Sequence, residues 1–199
     1  MHYRRTSLLR LSFIVLVVLY IQLSLSISPV LSQDITIGTQ TWTSKNLDVS
    51  TFRNGEAIPE AKNAEEWSKA SENNTAVYCY YGYDSKNGKV YGKLYNWYAV
   101  NDSRGLAPKG YHIPSDAEWT VLTDFLGGED KAGKKMKSKT GWQKNGKKSG
   151  NGNNSSGFNG LPGGNCNYNG YFFNISAYGY WWSSSENNTR LCLVSLSEL

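Results

Sequence analysis

Apolar residues along this chain come in short runs whose period changes from one run to the next. Ile35, Ile37 and Trp42 alternate with polar residues about Gly38-Thr39. This predicts a two-stranded hairpin with a type II′ turn, glycine supplying the positive φ at the first turn position. Residues 46–59 read as loop or short strand. Asn63 with Glu66 three residues on has the form of a helix start and predicts a short helix over 63–70. Val77 to Tyr81 reads as a buried strand and Asn87-Gly88 as a turn. Tyr91, Leu94, Tyr95 and Tyr98 are spaced as on one helical face, although their rings would also suit a strand.

The sharpest local signal is Pro114-Ser-Asp-Ala-Glu-Trp119. Ser115 and Glu118 have the spacing to exchange hydrogen bonds with each other's amides, a capping box. Trp119, Leu122, Phe125 and Leu126 form the apolar face behind it, and Gly127-Gly128 supplies a stop, so a helix is predicted over 116–126. Residues 144–164 are rich in Gly, Asn, Ser and Lys, with Phe158 and Leu161 as isolated apolar pegs. They predict a long ordered loop tethered by those pegs. Strands return over 170–175 and 178–184. No repeat of solenoid length is present.

The first 32 residues have a different character. Arg4, Arg5 and Arg10 precede a run from Leu11 to Leu25 broken only by Ser12, Tyr20, Gln22 and Ser24. Small residues follow, with Val30 and Ser32 at the −3 and −1 places of a cleavage before Gln33. This is the form of a secretory signal peptide over 1–32, with a mature domain over 33–199. A spanning helix needs about 20 apolar residues, more than this interrupted run offers, so no membrane span is expected after cleavage. No cysteine precedes Cys79, which argues against a lipid-modified N-terminal cysteine.

Composition refines the picture in three respects. Aromatic residues make up 14% of the chain while its mean hydropathy is negative, so the rings must serve either as the core or as a stacking surface for sugars. The formal charge of +5 includes the three signal arginines, leaving about +2 on the mature domain, too little to imply a nucleic-acid partner. The lysines between Lys131 and Lys148, interleaved with Gly and Asn, read as a solvated loop. Cys79, Cys166 and Cys192 are odd in number. Export favours a disulfide, which would leave one thiol over, and no close CxxC pair marks a structural zinc site.

Six stretches together carry a resemblance: DITIGTQTWTSKNLDV (34–49), YCYYGYD (78–84), YGKLYNWYAVND (91–102), GLAPKGYHIPSDAEWTVL (105–122), SSGFNGLPGG (155–164) and GYWWSSSE (179–186). In this order they resemble the Fibrobacter succinogenes major paralogous domain, a family of exported bacterial proteins whose members mostly have no assigned function. That family is similar, more distantly, to the C-type-lectin-like superfamily, which also holds the formylglycine-generating sulfatase-modifying domains. The resemblance implies an α+β, C-type-lectin-like mixed fold with two helices, short twisted antiparallel strands and long ordered loops. The chain departs from the family after Glu186. Members usually continue for several tens of residues, so the resemblance implies a C-terminal truncation that would bare a sheet edge and take away the mate of Cys79. Residues 190–196 still have the pattern of one alternating strand.

Candidate chemistry is sparse. His112 is the mature domain's single histidine and, lying just before a helix cap, reads as structural. Asp116 and Glu118 sit in the first helical turn, where capping and the helix dipole account for them. The three cysteines do not match the pattern of formylglycine-generating enzymes, and the Glu-Pro-Asn and Trp-Asn-Asp tripeptides of calcium-dependent lectins are absent. No catalytic residue, metal or cofactor is therefore expected. Among Tyr80, Tyr81, Trp181 and Trp182, strand alternation leaves at most two rings free to stack on a sugar. Tyr81, Trp182, Glu186 and Asn187 are the candidate ligand-binding residues. The expectation is a non-catalytic secreted or surface module, with an extracellular polysaccharide or a cell-surface protein as partner. The alternatives are a degenerate relative of formylglycine-generating enzymes and a scaffold without a ligand.

Overall fold

The first hairpin forms where alternation predicts it. β1 (Asp34–Ile37) pairs antiparallel with β2 (Gln40–Thr43), Ile35 opposite Trp42. Gly38 has φ +61°, the sign a II′ turn requires at that place. The computed structural model describes residues 34–186 and 193–196. The signal-like segment, Asn187 and Cys192 lie outside the described residues.

Helix α1 (Ala64–Glu72) starts at Asn63, whose side chain accepts from the Glu66 amide at 2.9 Å. Glu66 returns a bond to the amide of Lys62 at 2.8 Å, one residue earlier than in a standard box. The predicted strand over 77–81 shortens to β3 (Tyr78–Cys79), because the chain turns away at Gly82 and Tyr83, both at positive φ. Asn87-Gly88 is not a turn but the interior of α2 (Ser85–Tyr91), capped by Asp84, which accepts from the Lys86 amide at 2.9 Å. Gly88 is there for space: a Cβ would lie 2.3 Å from the Tyr80 ring.

The proposed single helical face over 91–98 is also corrected. Gly92, at φ +73°, ends α2. β4 (Leu94–Tyr95) then pairs with β3, and α3 (Trp97–Val100) begins at the buried Asn96. The Asn96 side chain accepts from the amides of Ala99 and Val77 and donates to Thr75 O. Residues 75–77 and the start of α3 thus converge on one amide group, a constraint that residue spacing does not record.

Helix α4 (Asp116–Phe125) has the predicted capping box. Ser115 Oγ accepts from the Glu118 amide at 3.4 Å, and Glu118 accepts from the Ser115 amide at 2.8 Å. Trp119, Leu122 and Leu126 are buried, whereas Phe125 is 63% exposed and lies over Gly38 instead of entering the core. Gly127 and Gly128 stop the helix at positive φ. Gly128 at once opens α5 (Glu129–Met136), a helix absent from the sequence reading. Its exposed lysines read as loop, but Ala132, Gly133 and Met136 form a buried stripe. Lys135 donates to Leu126 O at 2.8 Å and so closes the end of α4.

The Glu118 carboxyl is held below its ordinary value of 4.5, first by the Ser115 amide, with His112 assisting. A depressed carboxylate contributes stability that is fully present above the unfolded value and is lost as pH falls through the folded one. The melting-temperature gap between the wild type and Glu118→Gln is therefore expected to be widest near neutrality and to close below pH ~4, since the unfolded carboxyl titrates near 4.3. A gap that is flat from pH 6 to 3 in thermal melts would contradict the ionised cap.

The long loop through residues 144–162 is held by pegs, as expected. Of the two expected pegs Phe158 is buried and Leu161 only half-buried. Trp142, just before the loop, is also buried, and its indole donates to Ser138 Oγ and Gly160 O. Four strands follow: β5 (Gly163–Cys166), β6 (Phe172–Ile175), β7 (Gly179–Trp182) and β8 (Leu193–Leu196). Their order is β6-β5-β7-β8, with β5 and β7 parallel and the other pairs antiparallel. The architecture is mixed α+β, with five α-helices among the described residues where two were expected. Three apolar clusters fill it, centred on Leu122, Phe52 and Trp67.

Candidate functional site

The four rings singled out from the sequence are all packed. β7 lies between two clusters, so its consecutive tryptophans are used on opposite faces. Trp181 packs on Phe158, with centroids 5.6 Å apart, and donates to Asn46 Oδ1 at 3.1 Å. Trp182 packs on Trp97 at 5.9 Å and donates to Tyr95 O at 2.9 Å. Tyr80 lies edge-on to Tyr78, and Tyr81 sits 4.9 Å from the Phe172 ring. Alternation allowed two of these rings to be free; with both faces of β7 covered, neither tryptophan is. Glu186 is exposed just beyond β7, and Asn187 lies outside the described residues. No contact among the described residues joins Tyr81, Trp182 and Glu186 into one site.

His112 and the acidic residues of the α4 cap are likewise committed to structure. His112 Nε2 meets Glu118 Oε1 at 2.7 Å, and the Asp116 amide donates to Ser185 Oγ at 3.0 Å, tying the helix start to the segment after β7.

The exposed rings lie elsewhere. Tyr168 is 74% exposed, Tyr171 61% and Phe173 47%, and all three belong to the β5–β6 hairpin. Its turn is built from Asn167, whose side chain accepts from the amides of Asn169 and Tyr171. Gly170, at φ +82°, lets the turn dock: a Cβ there would lie 2.6 Å from both Ala64 Cα and the Tyr83 hydroxyl. Two long-range bonds hold it in place. The Trp67 indole donates to Asn167 O at 2.8 Å, and the Tyr83 hydroxyl donates to Gly170 O at 2.9 Å.

Docking the turn on α1 forms an open groove of about 600 Å³. Its walls are the Tyr171 ring and Asn169 on one side, and Glu65, Ser68, Lys69 and Glu72 of α1 on the other. An exposed ring beside carboxylates, an ammonium, a hydroxyl and an amide offers an apolar face together with donors and acceptors. The sequence signal for this site was the run Asn167-Tyr-Asn-Gly-Tyr171, whose Asn-Gly pair marks a hairpin turn between aromatic residues. Among the described residues, no three His, Cys, Asp or Glu side chains converge, and no helix is long and apolar enough to cross a membrane.

Residues 35–195 match the family model of the Fibrobacter succinogenes major domain. The chain belongs to that family. The matched stretch runs from β1 into β8 and so includes the hairpin, its turn and the groove. No curated protein and no solved structure matches the chain. In this Fibrobacter succinogenes major domain, the YCYYGYD and GYWWSSSE stretches that carried the resemblance supply core rings. Three of the exposed rings, Tyr168, Tyr171 and Phe173, come from the segment between the LPGG and GYWW stretches.

Proposed function

We propose that this domain is an exported, non-catalytic module that binds a carbohydrate chain in the groove between α1 and the β5–β6 turn. One observation carries the reading: Tyr168 and Tyr171 stay exposed on a turn held by two long-range hydrogen bonds, with Phe173 exposed on the following strand, while the rings of β7 and the 78–84 stretch are packed. An exposed ring gains by covering its apolar face, and a sugar ring offers an apolar C–H face with hydroxyl groups at its rim. The polar wall opposite Tyr171 matches hydroxyl groups. A leader of the form seen in residues 1–32 would deliver the module to the cell surface or beyond, where polysaccharide is met. A C-type-lectin-like fold, implied by the family resemblance, is part of this reading.

The test is a glycan array followed by titration calorimetry with the best ligand. Tyr171→Ala is expected to weaken binding at least about tenfold, roughly 1.4 kcal/mol, with the melting temperature nearly unchanged. Absence of any glycan ligand, or full affinity in Tyr171→Ala, would sink the proposal. A thiol-dependent reaction abolished by Cys166→Ser would favour the alternative of a degenerate enzyme.

A further inference from the structure

Cys79 and Cys166 meet inside the third apolar cluster. Cys79, on β3, is fully buried; Cys166, on β5, packs against the same cluster and is half-buried. The neighbouring Cys166, together with burial, pushes the Cys79 thiol far up, while Cys166 Sγ donates to Asn167 O at 3.6 Å. Tyr83 packs against the same cluster, and its hydroxyl is also raised, first by burial and then by these two sulfurs. Both thiols are free in the structure. Two cysteines packed in one cluster on neighbouring elements are placed for side-chain rotation to bring their sulfurs to the ~2.05 Å of an S–S bond.

We propose that Cys79 and Cys166 are a disulfide-forming pair, closed by exchange with a disulfide oxidant of the exported compartment. Exposure sets the order of steps. Cys166, the accessible thiol, loses its proton and attacks one sulfur of the oxidant's disulfide, forming a mixed disulfide and releasing the other sulfur as a thiolate. Cys79 then attacks the Cys166 sulfur, expels the second oxidant sulfur, and gives up its proton to the released thiolate. Two S–H bonds become one S–S bond, and the oxidant's S–S bond becomes two thiols. The bond fastens the end of β5 to β3, one residue before the turn that carries Tyr168 and Tyr171. Cys192 makes other pairings possible by count, but the described contact selects this one. The inference does not depend on what the groove binds.

The experiment uses the purified full chain, reduced and then exposed to oxidised glutathione, with non-reducing peptide mapping. The expected product is one cross-linked peptide pair containing Cys79 and Cys166, lighter by two hydrogens, with Cys192 alkylated. Cys192→Ser should give the same cross-link. Cys79→Ser should accumulate glutathione on Cys166, whereas Cys166→Ser should leave Cys79 unlabelled by iodoacetamide until the chain is unfolded. Three alkylated cysteines in the wild type, or a cross-link to Cys192, would overturn the assignment. Mapping of the wild type decides the matter even if a variant fails to fold.

Discussion

Gly164→Ala is expected to destabilise the domain by about 2–5 kcal/mol, combining left-handed backbone strain of roughly 1–2 kcal/mol with overpacking of roughly 1–3 kcal/mol. Gly164 has φ +65°, and a Cβ there would lie 2.4 Å from Phe173 O, 2.8 Å from the Ile175 amide and 2.8 Å from the Tyr81 ring. The two nearest obstacles are backbone atoms of the paired strand, so relief requires β5 and β6 to separate. At this chain length the melting temperature should fall by about 10 °C, taking 2–4 °C per kcal/mol. Gly55→Ala is the control. Its φ is +91° but nothing lies within 4 Å, so only the dihedral cost applies. Equal losses in the two variants, measured by urea unfolding, would show that the close approach of β6 contributes nothing.

Trp182→Ala is expected to cost about 3 kcal/mol, the low end of the range for removing a large ring, because the side chain is half-buried. Two interactions disappear: the ring contact with Trp97 and the indole bond to Tyr95 O. The bond from the Trp119 indole to Trp182 O uses the backbone and can survive. Any loss of ligand binding in this variant should therefore accompany a loss of stability, unlike the loss in Tyr171→Ala. Near-unchanged unfolding of Trp182→Ala together with abolished binding would instead make Trp182 a ligand platform and displace the groove from that role.

Legibility in the sequence followed the agreement of independent signals. Helix α4 could be read because the Ser115–Glu118 cap, the Trp119–Leu122–Leu126 stripe and the double glycine all pointed the same way. The β1–β2 hairpin could be read because alternation and Gly38 agreed. Helix α2 was hidden because Asn87-Gly88 has turn chemistry, and only the Tyr80 ring lying against Gly88 explains a glycine inside a helix. Helix α5 was hidden because four exposed charged residues surround a stripe of small residues. The period over 91–98 misled: Gly92 and Asn96 break it, and only the second makes tertiary bonds that reveal why. For the site, alternation tells which rings share a face but not whether that face is covered. Trp181 and Trp182 were therefore ambiguous, and the exposed tyrosines of the 167–171 turn went unweighed.

The placement of β7 ties the two larger clusters into a single melting unit. Trp181 walls one cluster and Trp182 the other, so opening either strips a side from its neighbour. A fragment ending before Gly179 would leave both oily centres with a missing wall. Stepwise loss of structure from one half at a time is thereby disfavoured, and the domain holds or falls as one.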